Sequence, residues 1–366
     1  MGLALGQRHR SVPDAFPDGA SPATILRDEP RLWDLYTLKD DYSPGRPGQK
    51  DAYKSIYAGG DPESLLDPAV SDYLRGRVPE ADYPDGKTFA VCLTHDVDVI
   101  DPPLAHRGLA SLYHGRRGAI GPLAREVLWR KGGKGSYDYR NFREIMDLED
   151  RYGARSSFYF LAARRNVQPL RMYDVESLEG DLGEIADRGW EVGLHGGYYA
   201  YDDPAAIREE KRRLEKALGR PVCGYRNHYL CFRVPDTWAH LSTAGFRYDT
   251  TLGYNNVPGF RNGTCRPFRP VDRRSGREVD ILEVPLAIMD RTLFSYAGSP
   301  DRAWAIARRL IDAVERDRGV LTLLWHNDVF RAPYRGPWAA MYERILQYCH
   351  ARNAWLAGGA EIVENL

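Results

Sequence analysis

Short apolar segments alternate with amphipathic helical segments from residue 86 onward, and this alternation constrains the fold more than any other feature of the sequence. Seven segments have the apolar or β-branched character of buried strands: 88–98, 155–161, 190–196, 221–227, 246–251, 281–290 and 319–328. Three segments between them have helical periodicity and end at a glycine, a common helix stop: 139–153, 203–219 and 303–319. Strands that alternate with helices predict a mostly parallel sheet with helical crossovers. Because no dinucleotide-binding fingerprint is present, seven strands favour a barrel over an open sheet.

The first 85 residues differ from the rest of the chain. They contain few long apolar runs and many Pro, Gly and Asp residues, and short helices are expected near 24–36 and 62–75. We interpret residues 1–85 as an N-terminal extension packed on the barrel and residues 86–366 as the catalytic domain. The predicted fold class is therefore α/β, an irregular (β/α)7 barrel with an N-terminal extension.

Charge, cysteine content and hydropathy narrow the class of protein. Lys and Arg number 51, as do Asp and Glu, so the overall charge does not indicate a nucleic-acid or membrane partner. The five cysteines are odd in number and contain no CxxC pair, which favours reduced thiols over a disulfide framework. We expect a cytoplasmic protein without stable membrane insertion, because neither a signal-peptide core nor a long apolar run is present. A chain whose leader had been removed would look the same.

Polar side chains stand at the end of nearly every predicted strand. They are Asp96 and Asp98, His195, Arg226, Asp249, Asp290 and His326. In β/α barrels, the carboxyl ends of the strands meet at the face where the chemistry is carried out. We therefore expect these side chains to lie close together.

Two aspartates end the first strand, in the sequence Thr94-His95-Asp96-Val97-Asp98. Alternate side chains of a strand share a face, so Asp96 and Asp98 point together and His95 points away. Carboxylates so close repel each other unless a cation or a proton lies between them. A metal bound by one aspartate, with the other acting as a base, removes this conflict. The alternative is a strand end with two solvated aspartates.

Three histidines and one arginine complete the candidate site. Two glycines follow His195 and allow other groups to approach closely, which favours a metal ligand over a structural histidine. His326 follows a buried strand with acidic residues nearby, a setting that suits a general acid for a leaving amine, and a core histidine bonded to backbone is the alternative. Arg226 can pair with Asp96 and keep it ionised. His228 shares a face with Arg226 if the chain stays extended, and a capping or surface histidine fits equally well.

These segments, in this order, resemble the motifs of the polysaccharide deacetylase superfamily (NodB homology, carbohydrate esterase family 4), in the branch whose first motif reads HDVD. The resemblance covers about residues 86–360. It implies a NodB-type barrel and a metal-dependent deacetylase. Such an enzyme hydrolyses an N-acyl group, expected here to be N-acetyl, from a sugar or glycoconjugate.

The resemblance also implies roles for individual residues. Asp96 matches the catalytic base and Asp98 the metal ligand of the first motif. His195 matches the first histidine of the second motif, a metal ligand, and His326 matches the acid of the fifth motif. The implied metal is zinc, and other divalent transition metals fit as well.

The third motif of the family is an arginine followed by a short run that ends in an aromatic residue. Arg226 and Tyr229 match it, with Arg226 orienting the base and the backbone N–H of Tyr229 stabilising the oxyanion. The stretch Tyr248-Asp249-Thr250-Thr251 is similar to the Tyr-Asp-Ser-Ser element of the family.

One position departs from the family pattern. The second motif usually reads His-x-x-x-His, but the residue four positions after His195 is Tyr199. We favour His228 as the third ligand, since it places an imidazole where the family more often has proline. Water or a carboxylate such as Asp202 can complete the shell instead. A degenerate relative that has lost metal affinity is the remaining alternative.

Two further functions are compatible with the sequence. One is hydrolysis of a linear or cyclic amide C–N bond outside a sugar, and the other is carbohydrate binding without catalysis. The expected partner is a carbohydrate or sugar conjugate. Nucleic acid is not expected, because only residues 106–134 are strongly basic, with seven Lys and Arg against one Glu. We interpret that stretch as a solvated loop, with attraction of an anionic sugar or of an anionic membrane surface as alternatives. Residues 253–268 are expected to line the substrate cleft.

Overall fold

The computed structural model describes residues 21–42, 61–127, 139–164 and 173–366. Within these residues the strands are β1 Ala90–Val97, β2 Ser157–Leu161, β3 Glu191–Gly196, β4 Gly224–Asn227, β5 Tyr248–Asp249, β6 Val271–Asp272, β7 Arg277–Glu278, β8 Leu282–Glu283, β9 Leu286–Met289, β10 Val320–Leu324 and β11 Trp355–Ala357. The α-helices are α1 Pro22–Leu26, α2 Pro30–Tyr36, α3 Ala69–Leu74, α4 Leu104–Arg116, α5 Ile120–Val127, α6 Phe142–Asp150, α7 Glu179–Asp187, α8 Pro204–Leu218, α9 Asp236–Thr243, α10 Asp290–Ala297, α11 Pro300–Arg316, α12 Gly336–Ala351 and α13 Gly359–Glu364.

The main sheet is parallel throughout and has the strand order β8-β5-β4-β3-β2-β1-β10-β9. Its two end strands, β8 and β9, belong to the single predicted strand 281–290. Pro285 lies in the break between them and has no N–H to donate to a ladder. Because one half of this segment pairs with β5 and the other with β10, seven strand positions follow one another around the sheet. The predicted irregular barrel is confirmed.

Side chains of β1 alternate between the barrel interior and the surrounding helices. Cys92 packs with Tyr159 inside the barrel, whereas Leu93 packs with residues of α11 and α12. His95 points outward, as its position in the strand predicts, and its Nε2 lies 2.8 Å from Glu149 Oε1 of α6. This alternation sends Asp96 toward the interior. β11 extends the sheet by pairing with the first half of β1.

The described parts of the first 85 residues form the short helices that were expected there. They pack on the segment 253–268: Phe260 N–H donates to the Leu65 carbonyl at 2.8 Å, and Val70 N–H donates to the Gly263 carbonyl at 2.8 Å. The rings of Tyr36 and Phe268 lie 5.1 Å apart. Residues 1–20 and 43–60 lie outside the described residues, and the domain boundary at residue 85 stays a prediction.

The structure also bears on several smaller points of the sequence interpretation. The basic stretch 106–134 is helical in its described part, as α4 and α5, and residues 128–138 lie outside the described residues. The expectation of a solvated loop there is wrong for α4 and α5. β6 and β7 form an antiparallel pair that the sequence did not predict. All five cysteines are free thiols, as expected. None of the described helices is both long enough and apolar enough to cross a bilayer.

Candidate metal centre

Three predicted ligands lie together at the carboxyl ends of three strands of the main sheet. Asp98 follows β1, His195 lies in β3, and His228 follows β4. Their ligand atoms all lie within 4.8 Å of one another. The Nε2 atoms of His195 and His228 lie 3.3 Å and 3.4 Å from the same atom, Asp98 Oδ1. The sequence-predicted ligand set is therefore assembled as a cluster of one oxygen and two nitrogen donors.

Hydrogen bonding defines which nitrogen of His195 faces the cluster. Its Nδ1 lies 3.0 Å from the Arg226 carbonyl oxygen, which can only accept, so Nδ1 carries the proton in the neutral ring. The Nε2 lone pair then faces Asp98. Asp98 Oδ1 is buried and accepts no hydrogen bond from any described residue. The Nε2 lone pair and the carboxylate oxygen repel each other unless a proton or a cation lies between them. This donor set therefore fits a divalent transition metal.

The electrostatics of the cluster favour an ionised carboxylate. Burial raises the pKa of Asp98, but the neighbouring His228, His195, His326 and Arg291 outweigh burial and hold that pKa well below its usual value. Burial lowers the pKa of His228 to about 4, so this ring is uncharged near neutral pH. Burial also opposes the charged form of His195, but Asp96 and Asp98 raise its pKa overall.

The glycines after His195 are required by close packing. A Cβ at Gly196 would overlap the ring and hydroxyl of Tyr225, and a Cβ at Gly197 would lie 2.7 Å from Glu210 Oε1. The Gly197 N–H donates to Glu210 Oε2 at 2.8 Å and so holds the loop that leaves β3. Burial raises the pKa of Glu210 to about 7. The sequence interpretation that these glycines allow close approach is confirmed.

Asp96 lies beside this cluster and contacts the predicted arginine. Arg226 Nη1 lies 3.3 Å from Asp96 Oδ1 and donates to Thr94 Oγ1 at 2.7 Å, while Arg226 Nε donates to the Thr250 carbonyl at 3.1 Å. Asp96 Oδ2 lies 3.7 Å from His195 Nε2. The fully buried guanidinium of Arg226 is held at these three points and so fixes the position of Asp96 beside the cluster.

His326 approaches the cluster from the opposite side. Its Nε2 lies 3.7 Å from Asp98 Oδ2, and its Nδ1 lies 2.8 Å from Asp290 Oδ1. Asp290 Oδ2 also accepts from the His326 backbone N–H at 2.8 Å. Burial and Arg291 lower the pKa of His326, but Asp290 and Asp98 outweigh them and raise it overall. A ring that keeps its proton and points Nε2 at the cluster has the geometry of a general acid.

The sequence interpretation missed Arg291. Its Nη2 lies 3.7 Å from Asp98 Oδ2 and 3.4 Å from Asp328 Oδ1, so it links the cluster to the loop that follows β10. Asp328 also pairs with Arg335 at 2.6 Å. The only sequence signal was its position, directly after Asp290 at the end of a predicted strand.

The remaining candidates lie around the cluster. Tyr229 has φ 58° and ψ 20°, in the left-handed region, and its carbonyl accepts from Asn255 Nδ2 at 2.7 Å. Asp202, the alternative ligand, pairs with Arg233 at 2.5 Å and is not part of the donor cluster. Tyr199, which stands where the family has a second histidine, is 57% exposed. Of the candidates for the third position, only His228 has a ligand atom in the cluster.

Asp249, another polar residue at a strand end, belongs to a separate buried pair. It accepts from Thr251 Oγ1 at 2.5 Å, and its carboxyl interacts with that of Glu283, which accepts from Trp238 Nε1 at 2.7 Å. Burial raises the pKa of Asp249 to about 6 and that of Glu283 well above its usual value. This pair supports the strands below the cluster and contributes no donor to it.

Solved structures share this architecture over most of the chain. A protein assigned as a polysaccharide deacetylase from Mycobacterium smegmatis matches with a TM-score of 0.52 and 21% identity, over 78% of this chain and 93% of that one. Another, from Pseudomonas aeruginosa PAO1, matches with a TM-score of 0.53 and 14% identity, over 80% and 95%. The chain has the fold of the polysaccharide deacetylases. Puue allantoinase matches equally well, with a TM-score of 0.53 and 14% identity over 80% and 94%. No family model and no curated protein matches the sequence.

Proposed function

We propose that this protein is a metal-dependent hydrolase that removes an N-acyl group from an amino sugar or glycoconjugate. We expect the acyl group to be acetyl. The observation that carries the proposal is the cluster of Asp98, His195 and His228, with a buried carboxylate oxygen that accepts no hydrogen bond from a described residue. Asp96 and His326 flank this cluster from two sides. The likeness in fold to polysaccharide deacetylases supports the same assignment.

The three donors would hold a zinc ion or another divalent transition metal, which when bound polarises the amide carbonyl and acidifies water. Asp96 accepts the proton of the attacking water. Arg226, held by Thr94 and the Thr250 carbonyl, keeps Asp96 oriented for this task. The backbone N–H of Tyr229 is proposed to donate to the oxygen that becomes negatively charged as the carbonyl carbon turns tetrahedral.

His326 completes the reaction as the general acid. Its Nδ1–H is held by Asp290, so Nε2 is the atom that gives its proton to the leaving nitrogen as the C–N bond breaks. The products are a free amine and a carboxylic acid, which ionises to the carboxylate. Asp96 gives the proton that it took from water back to solvent, and His326 takes a proton from solvent for the next turnover. Asp290 and Arg226 act as positioning residues because they touch the acid and the base rather than the substrate.

A second candidate is hydrolysis of an amide C–N bond outside a sugar. It is favoured by the likeness to Puue allantoinase, whose TM-score equals that of one polysaccharide deacetylase match. The same base and acid serve either reaction, so the substrate separates the two functions.

The test is product release from a panel of substrates by zinc-loaded protein. The panel contains N-acetylated sugars, nucleotide-linked N-acetyl sugars and linear and cyclic amides, and both acetate and new amines are measured. We expect acetate from an N-acetyl sugar. Asp96→Asn should lose turnover while zinc stays bound. The matched control Asp301→Asn, at an exposed position of α11, should keep full turnover. Opening of a cyclic amide alone would select the second candidate. Zinc-loaded protein that hydrolyses no member of the panel would contradict both.

A further inference from the structure

The exposed face of α4 is apolar, the reverse of an ordinary surface helix. Residues of the solvent-exposed class recur at helical spacing and lie on one side of the helix: Leu104, Ala105, Gly108, Leu109, Leu112, Gly115 and Arg116. The buried Ala110 and the half-buried His106 and Tyr113 lie on the other side. A surface helix normally turns its apolar face to the core and its polar face to water. An apolar stripe that faces outward marks a contact surface.

The same chemistry continues into the next helix. Ile120, at the start of α5, is 80% exposed, and Leu104 is 81% exposed. Five large hydrophobic side chains are exposed in the described part of the chain: Leu104, Leu109, Leu112, Ile120 and Tyr199. Four of the five lie between residues 104 and 120. The clustering of exposed hydrophobic side chains in the α4–α5 hairpin therefore requires a specific explanation.

The hairpin starts at the end of the barrel that carries the metal cluster, and Tyr199 lies at the same end. The hairpin begins six residues after Asp98, and Tyr199 follows β3 four residues after His195. The first turn of α4 is fixed to this end of the barrel: His106 Nδ1 lies 3.2 Å from the Tyr139 hydroxyl and 3.9 Å from Asp328 Oδ2. The first turn of α4, which begins the apolar face, thus lies near the mouth of the candidate site.

The charge of the hairpin indicates which kind of surface it meets. The hairpin, residues 104–127, contains four arginines, Arg107, Arg116, Arg117 and Arg125, and one acidic residue, Glu126. An apolar helical face in a hairpin with four arginines and a single acidic residue matches the interface of an anionic bilayer, where hydrophobic side chains enter the headgroup region and basic side chains meet lipid phosphates. No described helix is long and apolar enough to span a bilayer, so the contact would lie in the plane of the interface.

We propose that the α4–α5 hairpin binds the surface of an anionic membrane and thereby presents the metal cluster to a sugar carried on a membrane lipid. The membrane contact stands on the exposed leucines and the charge of the hairpin, whereas the lipid-linked sugar rests on the proposed function. A second copy of this chain is the competing occupant of the apolar face, and it is an outcome of the test.

The test is sedimentation of the full chain with vesicles of phosphatidylcholine, with and without about one third phosphatidylglycerol. We expect binding to the anionic vesicles, weaker binding to the neutral ones, and loss of binding as salt is raised.

Leu104→Ser/Leu112→Ser should weaken binding at least about tenfold, because each leucine loses most of its transfer free energy. Arg116→Glu should weaken it severalfold, whereas Arg308→Glu, a charge reversal on exposed α11, should leave it unchanged. Circular dichroism and thermal unfolding check that each variant is folded.

Three results would overturn the proposed membrane contact. The first is wild-type protein that binds no anionic vesicle. The second is binding that survives in the folded double-serine variant. The third is a dimer in sedimentation that depends on Leu104 and Leu112 in protein that binds no vesicle, which would identify a second copy as the occupant. Vesicle binding without hydrolysis of any acylated sugar would contradict the proposed function and leave the membrane contact standing. Hydrolysis of soluble N-acetyl sugars without vesicle binding would do the reverse.

Discussion

Replacing His228 with alanine removes one of the three donors of the candidate metal centre and leaves the other two in place. His228 Nε2 lies 3.4 Å from Asp98 Oδ1, and its ring centroid lies 5.0 Å from that of His195. We expect the variant to fold, because the rest of the cluster is anchored independently: His195 bonds to the Arg226 carbonyl. The expected loss is in zinc affinity.

The size of this loss follows from the number of ligands. Removing a residue that only supports a ligand typically costs about 10- to 100-fold in metal affinity, so removing a direct ligand should cost at least the upper value. A 100-fold loss corresponds to about 2.7 kcal/mol. At a zinc concentration about 1,000 times the wild-type Kd, zinc should raise the free energy of unfolding by about 4 kcal/mol in the wild type and by about 1.4 kcal/mol in His228→Ala.

The assay is denaturant unfolding with zinc and with chelator, combined with competition against a chromophoric zinc indicator. The zinc-dependent increment in unfolding free energy is compared within each protein, so a change in stability of the metal-free variant does not affect it. His350→Ala is the matched control, because His350 is exposed on α12 and has no atom in the donor cluster. It should keep the wild-type increment.

Equal zinc affinity in His228→Ala and the wild type would refute His228 as the third ligand. Water or another carboxylate would then have to complete the shell. Absence of zinc binding in the wild type as well would refute the metal centre as a whole, and the non-catalytic interpretation would gain support. The barrel would be unaffected by either result.

Two further substitutions test other parts of the site, and a third tests the separate buried pair of Asp249 and Glu283. Asp98→Ala should abolish stoichiometric zinc binding, measured by metal analysis after dialysis. His326→Ala should keep zinc and slow turnover by about 10²- to 10⁴-fold, measured as kcat on the best substrate of the panel. Burial raises the pKa values of Asp249 and Glu283, so their stabilisation is present when they are protonated and is lost as pH rises through about 6 and beyond. Between about pH 5 and pH 8, the wild type should therefore lose about 1–3 kcal/mol more stability than Glu283→Gln, measured by urea unfolding, and equal pH profiles would contradict this.

The fold was predictable because its signals are local. Each strand is a short buried run, and each polar residue that matters follows such a run directly, so parallel topology alone brings them to one end of the barrel. The same local rule explains why His95 points away from the site. Strand alternation places it outward, where it bonds to Glu149 at 2.8 Å. Even the break in the sixth predicted strand, 281–290, has a local cause, since Pro285 cannot donate to a ladder.

Pairings between distant segments were not predictable in this way. Asp290 stands at a strand end in the sequence, but its bond to His326 depends on β9 and β10 being neighbours in the closed sheet. The contact between Arg291 and Asp98 also depends on the closing of the sheet. The helices α4 and α5 were missed for a different reason. Their outward faces are apolar, so the periodicity that normally indicates packing on a core does not apply.

The proposed third ligand, His228, lies between these two cases, and its position shows how the proposed metal site can form without a histidine at position 199. β3 and β4 are neighbours, and His195 is in register with Arg226. His228, two residues beyond Arg226, therefore lies one strand over from His195 and slightly further toward the mouth. Its Nε2 reaches the same carboxylate oxygen from that position.

The chain then turns through the left-handed Tyr229, with φ 58°, which carries the following residues away from the cluster. A histidine at position 199 would have to reach back from an exposed loop, whereas one at 228 is delivered by the sheet itself. The ligand set can thus move from one loop to the next strand while the donor chemistry stays the same.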